Sequence, residues 1–405
     1  MATGVWQTEA KQWYDWDSII MTGTPKKREE QRREFLTSNV QIMITNFALL
    51  GEVVEMSQRW NNIIIDEAHL GGLLNHNNET YKTVKKLQSI NLFILTGTPV
   101  RKGPQDLWSL LHLLQPKKFT SYWGYVNKYC HVLQGQFGKE ILGRPKDVRV
   151  FNDMLYQQMV RNLKKDVLPD LPDKQRIPLL VDMEPIQLAA YIEILEEMML
   201  VTDTDVLLTP NRMTQDMRLR QLLVCPRILG IPDDGIALKT IAEYSIPQQF
   251  DAGRAVVVTT PFRQAVPYIR EAIERSLPGT YIEEIHGAVK ENTNNIAKRF
   301  QAHKSHKKVL IYTIKSGASW TAHTASTGFM LGSQWDVNEN TQAEDRIHRI
   351  GQKNKVDWYY LLHKGTVDEA VMDKLNGKND AQLWTLHAHE MLAKLESLKE
   401  KYREK

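Results

Sequence analysis

Residues 63–70 read IIIDEAHL, an apolar β-branched run that ends directly in Asp66 and Glu67. The run has the composition of a buried strand, and the acidic pair marks its carboxyl end. In open α/β sheets, ligands gather at the carboxyl ends of the strands. A carboxylate there can take Mg²⁺, directly or through water. Its neighbour can orient or deprotonate a water that attacks a γ-phosphate. Taken alone, Asp-Glu after an apolar strand is more often the solvated start of a loop, so the surrounding sequence decides.

Outward from this stretch, strands and helices alternate. Trp6–Trp16 is aromatic-rich and helix-like, SIIM (18–21) reads as a strand, KKREEQRREF (26–35) as a charged helix and VQIMI (40–44) as a strand. NIIID (62–66) follows a further helix, and NLFIL (91–95) is the next strand. Such alternation predicts an α/β fold with parallel sheets covered on both faces. The DEAH stretch and LTGTP (95–99) both fall at strand carboxyl ends. From Leu107 to Arg149 the pattern turns helical and aromatic, with Trp108, Phe119, Tyr122, Trp123 and Tyr125. VLPDLPDKQRIP (167–178) reads as a linker or hinge. Helices are expected from Ile186 to Leu229, and a second alternating region runs from RAVVVTTPF (254–262) through KVLIYTI (308–314).

Three segments are therefore expected: a first lobe over 1–177, a second lobe with a helical insertion over 178–378, and a charged helix over 379–405. The apolar stripe of that last helix, Trp384, Ala388, Met391, Leu395 and Leu398, keeps to one face and is expected to pack on the second lobe, with a partner protein as the alternative.

The totals agree with a globular protein of more than one domain. The chain has 405 residues, 42% hydrophobic and 25% charged, and length alone sets a prior of about two to three domains. No apolar run approaches the roughly 20 residues that cross a bilayer, and the N-terminus lacks the pattern of a secretory signal. Cys130 and Cys225 are the only cysteines, too few for a disulfide framework or a zinc site, which suits a reducing compartment. The net charge of +4 permits a nucleic-acid partner without requiring one.

A second constellation is QAEDRIHRIGQ (342–352). On a continuous helix Gln342, Arg346, Arg349 and Gln352 would share a face. Two arginines on one face suit phosphate oxygens, because a guanidinium presents a planar fork and keeps its charge.

Taken together and in this order, the motifs resemble the Swi/Snf-type DNA translocases of helicase superfamily two. IIIDEAHL is similar to that family's Walker B motif, and LTGTPVRKGPQDLWSLLHLLQP (95–116) to its third motif and the helix after it. VRNLKKDVLPDLPDK (160–174) and MRLRQLLVCPRILG (217–230) look like its inter-lobe segments. QAEDRIHRIGQ with LLHKGTVDEAVMDKL (361–375) resembles its sixth motif. The resemblance runs from about Trp6 to about Leu375.

It implies two RecA-like lobes that hydrolyse ATP between them while tracking along double-stranded DNA. By the same resemblance Asp66 associates with Mg²⁺, Glu67 is the catalytic base, and Arg346 and Arg349 are arginine fingers. Gln342 and Gly317 contact the nucleotide. Thr45 and Asn46 contact the DNA backbone in the first lobe, and Thr259 and Thr260 do so in the second. His69, Thr96, Gly97 and Thr98 couple the two events.

One part of the family pattern is missing. A phosphate loop needs G-x-x-x-x-G-K-[ST], and neither Gly138-Lys139 nor Gly377-Lys378 is followed by a hydroxyl residue. Trp6, Glu9 and Trp13 resemble the helix that follows the family's motif Ia, which would place the phosphate loop ahead of Met1. The expectation is a motor truncated at its N-terminus and unable to turn over ATP alone. The alternatives are a non-hydrolysing remnant that binds DNA or a protein, or half of a split motor whose phosphate loop sits on a separate chain. KSGASWTA (315–322) also departs from the glycine-rich motif V, with Trp320 beside the turn, and Lys102 stands where the family tends to have Asn. The layout, without added modules, leans towards the cytoplasm of a bacterial or phage-infected cell and leaves the nucleus open.

Overall fold

The computed structural model describes residues 3–101, 103–135, 138–162, 164–197, 199–201, 206–208, 212–316, 320–369 and 372. Gly317 and the expected C-terminal helix 379–405 lie outside them. The chain divides into two compact units, Met1–Leu163 and Lys164–Lys405. Among the described residues, no helix is long and apolar enough to cross a membrane.

In the first unit the order is α1 (Thr3–Tyr14), β1 (Ser18–Ile20), α2 (Pro25–Thr37), β2 (Ile42–Ile44), α3 (Leu50–Glu55), β3 (Arg59–Ile65), α4 (Glu79–Val84) and β4 (Gln88–Ile94). The Thr24 hydroxyl caps α2 by accepting from Lys27 N, and Pro25 supplies a preset φ at the first turn. α2 buries nothing. Ion pairs hold it to α3, with Arg28 2.7 Å and Arg32 3.2 Å from Glu52.

The strands do not form one sheet. β1 pairs with β2 and β3 with β4, each pair parallel and separate. The expectation of a sheet covered on both faces therefore fails here. Ile64, Ile90 and Phe93 stand 52%, 61% and 51% exposed on the second pair. The other side of that pair is packed. Ile65 joins Ala68, Leu73, Tyr81, Trp108 and Tyr125 in a buried core.

After α5 (Leu107–Leu114) and α6 (Tyr122–Tyr129), the chain departs from the expected all-helical stretch. It forms an antiparallel ribbon of β5 (Cys130–Gly135) and β6 (Gly138–Pro145), then α7 (Val148–Tyr156). Gly135 and Gly138 close the turn, and Gly138 takes φ +122°, a conformation that favours glycine. Two glycines that weaken a helix, set between apolar runs, are a hairpin signal.

In the second unit α8 (Lys164–Val167) and β7 (Lys174–Val181) come first, so the later part of the expected linker is a strand. β7 is the edge of its sheet, where Pro178 costs no ladder bond. α9 (Pro185–Glu197) and α10 (Arg212–Val224) flank a short hairpin of β8 (Met199–Val201) and β9 (Val206–Leu208), which the helical expectation missed. Then follow α11 (Ile236–Thr240), α12 (Ile246–Asp251), β10 (Ala255–Thr260), α13 (Val266–Ser276), β11 (Tyr281–Ile285), α14 (Thr293–Ala302), β12 (Lys308–Thr313), β13 (Ala325–Leu331), α15 (Val337–Glu344) and β14 (Val356–His363).

Six strands make a wholly parallel sheet in the order β11-β12-β10-β13-β14-β7. Every residue of β10, β12 and β13 is buried, as helices on both faces require. One core holds Leu310, Tyr312, Trp320 and Trp358, and the other holds Val258, Ile269, Ile311 and Phe329. This unit is the α/β fold that the alternation predicted.

Gly328 lies opposite Trp358 in the β13–β14 register, and a Cβ there would meet the indole at 2.5 Å. Gly328→Ala is expected to cost about 1–3 kcal/mol through overpacking. Urea unfolding followed by fluorescence reads it, and an unchanged midpoint would show that the Trp358 site has room.

Candidate functional site

In the first unit, β3 and β4 end side by side and their ladder continues past both. Leu95 N donates to Ile65 O at 2.8 Å, and Ala68 N donates to Leu95 O at 3.1 Å. This sets Asp66–His69 beside Thr96–Thr98. Asp66 Oδ1 accepts from Glu67 N at 2.9 Å, and Oδ2 accepts from the indole Nε1 of Trp6 on α1 at 3.0 Å.

Glu67 adopts φ +48°, a left-handed conformation that costs a side-chain-bearing residue of order 1–3 kcal/mol and gathers at functional sites. Its Oε2 lies 3.3 Å from His69 Nδ1, and the same nitrogen lies 2.9 Å from Thr96 Oγ1. Thr96 Oγ1 in turn accepts from Thr98 N at 3.1 Å. His69 is only 4% exposed, so the Nδ1 that faces both Glu67 Oε2 and Thr96 Oγ1 is shielded from water. Gly97 is open to solvent, with nothing near a notional Cβ.

Thr45 and Asn46 are half-buried, and the next residue ties them to the acidic loop. A Cβ on Gly71 would lie 2.5 Å from the Phe47 ring. Only glycine lets the loop after Asp66–His69 rest on that ring. Six of the residues expected to act in the first unit, Asp66, Glu67, His69, Thr96, Gly97 and Thr98, are thus adjacent in space, with Thr45 and Asn46 joined to them through Phe47.

Among the described residues no group of three or more His, Cys, Asp or Glu side chains could hold a metal ion. Mg²⁺ asks for less, since it keeps several waters and takes one or two carboxylates. A carboxylate has about four acceptor positions, and Asp66 uses two, so it fits that ion. The two thiols offer no alternative chemistry, for burial pushes Cys130 up to about 11 and Cys225 up to about 12.

In the second unit the structure corrects the expected helix face. α15 ends at Glu344, and turns carry 345–351. Gln342 therefore belongs to the helix and the two arginines do not. What holds them is an ionic network that the sequence reading missed. Glu344 is fully buried, and Arg176 grips it with two bonds of 2.6 and 3.0 Å. Lys174 Nζ reaches Glu344 at 2.7 Å and Asp345 at 3.0 Å, Lys164 reaches Asp345 at 2.6 Å, and the Tyr360 hydroxyl donates to Glu344. His348 Nε2 adds a bond to Pro172 O at 2.7 Å. Lys174 and Arg176 stand two apart on one face of β7, a period-two signal legible in sequence.

This network fixes the turn that bears both arginines. Arg346 is buried, its guanidinium 5.3 Å from the Trp320 ring centre. Arg349 is half-buried, and among the described residues its side chain makes no ion pair. Gln352 is a structural lock, donating to Ala325 O at 2.8 Å and Ile347 O at 2.9 Å. Thr259 and Thr260 are fully buried at the end of β10, so their hydroxyls do not face solvent.

A family model described as "SNF2-related domain" matches residues 2–229. The CHD3-type chromatin-remodeling factor CHR7 of Arabidopsis thaliana is 27% identical over 403 residues, covering 92% of this chain and 32% of that protein. Chromodomain-helicase-DNA-binding protein 8 of Rattus norvegicus is 26% identical over 415 residues, covering 92% of this chain and 16% of that one. The chain thus spans no more than 32% of either relative's length. A solved structure, the Sulfolobus solfataricus SWI2/SNF2 ATPase core in complex with dsDNA, aligns over 93% of this chain and 78% of that one, with 22% identity and a TM-score of 0.40.

Burial alone would raise the Glu344 carboxyl, but Arg176 and Lys174 outweigh it and hold the group below its ordinary 4.5. A depressed carboxyl stabilises the fold above its unfolded value, and that stability is lost as pH falls through the folded one. Glu344→Ala leaves Arg176 without its carboxylate and Lys174 with Asp345 alone, and is expected to cost about 3 kcal/mol, towards the lower end for a broken buried pair because both cations are partly exposed. It should also flatten the loss of stability below about pH 4.5. Denaturant melts across the acid range read both effects, and an unchanged acid limb would show that Glu344 is not the group titrating.

Proposed function

The chain belongs to the SNF2-related domain family, the Swi/Snf-type members of helicase superfamily two, and on that premise we propose that it is the motor part of a DNA-dependent ATPase that moves along duplex DNA. The observation that supports this reading best is the buried His69 Nδ1 set between Glu67 and Thr96, beside Asp66, at two adjacent strand ends. The two units are read as the motor's two lobes.

In this reading Asp66 holds the Mg²⁺ of a bound nucleotide, and the ion when present neutralises charge on the transferring phosphate oxygens. Glu67 orients the attacking water and accepts its proton. His69, hydrogen-bonded to Thr96 and 3.3 Å from Glu67 Oε2, makes the position of that base depend on the loop. Phe47 on Gly71 links the same loop to Thr45 and Asn46, the proposed contacts to DNA phosphates. Such contacts position a duplex without reading its sequence. Gln342 and Gly317 are assigned to the nucleotide. Arg346 and Arg349 are assigned to the charge that develops on the phosphoryl group, with Arg349 the more accessible of the two. Thr259 and Thr260 enter only as buried residues beneath the second lobe's DNA contact.

The sequence contains no G-x-x-x-x-G-K-[ST] stretch. The loop that grips the phosphates is therefore proposed to come from outside these 405 residues, in the same polypeptide or on a separate chain. That gap also favours a second reading, a DNA-binding remnant without turnover. A reducing compartment suits two buried, free thiols. The cytoplasm is the proposed setting, with the nucleus as the alternative in view of the chromatin-remodeling relatives.

Turnover measured with a G-K-[ST] segment supplied, with and without duplex DNA, separates the readings. The motor should hydrolyse ATP faster on DNA, and Glu67→Gln should lower kcat by about 10²–10⁴ with nucleotide binding retained. Undiminished hydrolysis by Glu67→Gln would reject its role as base. DNA binding without any hydrolysis would favour the remnant.

A further inference from the structure

The ribbon, which the helical pattern did not lead one to expect, lies in a strongly basic part of the first unit. Residues 115–150 contain Lys117, Lys118, Lys128, Lys139, Arg144, Lys146 and Arg149 against only Glu140 and Asp147. All of these cations except Arg144, whose side chain is not described, are exposed. Among the described residues none of the exposed ones is in an ion pair. Asp147 cannot compensate them freely, since its carboxylate caps α7 by accepting from Arg149 N and Val150 N.

Three of the ammonium groups are gathered around α6. Trp123 and Asn127 stand one turn apart on that helix, on one face. Lys139 from β6 lies with Nζ 5.2 Å from the centre of the Trp123 ring, and Lys146 Nζ donates to Asn127 O. Lys128 follows in the last turn, its Nζ 5.1 Å from the Tyr129 ring centre. Packing on the aromatic rings orders the lysine stems while their heads stay in water. Unpaired ammonium groups at like-charged spacing repel one another, so the arrangement is best relieved by a polyanion. Lysine is a hydrated point charge without the bidentate fork that reads a base or a single carboxylate. Its natural counterpart is a row of phosphates.

We propose that the β5–β6 ribbon together with α6 is a sequence-independent contact for the phosphate backbone of duplex DNA, in addition to Thr45 and Asn46. The inference rests on the reading of the chain as a DNA motor and assigns that reading a surface that none of its motifs contains.

The test is fluorescence anisotropy of the full chain with a labelled duplex, across salt from about 50 to 200 mM. Each phosphate contact contributes about 0.9 to the slope of log affinity against log salt. The triple variant Lys128→Gln, Lys139→Gln, Lys146→Gln should therefore lose about 2.7 from that slope. Glu140→Lys, beside Lys139, should steepen it and raise affinity, a gain that misfolding cannot produce. If the wild type binds with a steep slope that both variants leave unchanged, the ribbon is not a contact and the motor reading stands. If the wild type does not bind the duplex at all, both fail.

Discussion

The second unit depends on one buried carboxylate. Glu344 sits at the last position of α15 with no exposure to water, where a lone charge would be untenable. It is tolerable only because β7 brings Lys174 and Arg176 to it from the sheet edge, and β14 brings the Tyr360 hydroxyl. The edge strand, the sheet and the turn carrying Arg346 and Arg349 are thereby fixed by one set of charges. Such a network contributes little net stability over an apolar equivalent. What it provides is a defined position for a turn that no regular helix supports.

The first unit depends on a different constraint, the backbone at Glu67. A left-handed glutamate is paid for by its surroundings, here the Leu95 ladder on one side and the Phe47 ring under Gly71 on the other. In that conformation Glu67 Oε2 lies 3.3 Å from His69 Nδ1. The same loop therefore carries the acidic pair, the His69 contact with Thr96 and the link to Thr45 and Asn46. A shift at any of these would be felt at the others, because the contacts between them are direct.

Much of this was legible in the residue order. The two acidic residues after three isoleucines, the GTP turn and the paired arginines were each marked by local spacing. The wholly parallel sheet of the second unit followed from apolar runs such as AVVVTT, since strands buried on both faces need no alternation. Errors arose where composition and topology disagree. VLPDLPDKQRIP (167–178) reads as a linker because Pro and charged residues dominate it, yet from Lys174 it is an edge strand, which tolerates both. The stretch around Gly135 and Gly138 follows directly on the aromatic-rich helix α6, but its two glycines break the helical period and turn the chain.

The sequence by itself determined the family and the α/β class, and marked Asp66 and Glu67 as the candidate site, because those are carried by residue types at fixed short spacing. Only the tertiary structure decided which of the named groups are available. It buried Thr259, Thr260 and Arg346, left Arg349 outside any ion pair among the described residues, and brought Trp6 onto Asp66 from 60 positions away. It also paired Glu344 with Arg176 across 168 positions. Contacts at that separation leave no local trace, since they arise from the packing of strands and helices and not from the periodicity of any one of them.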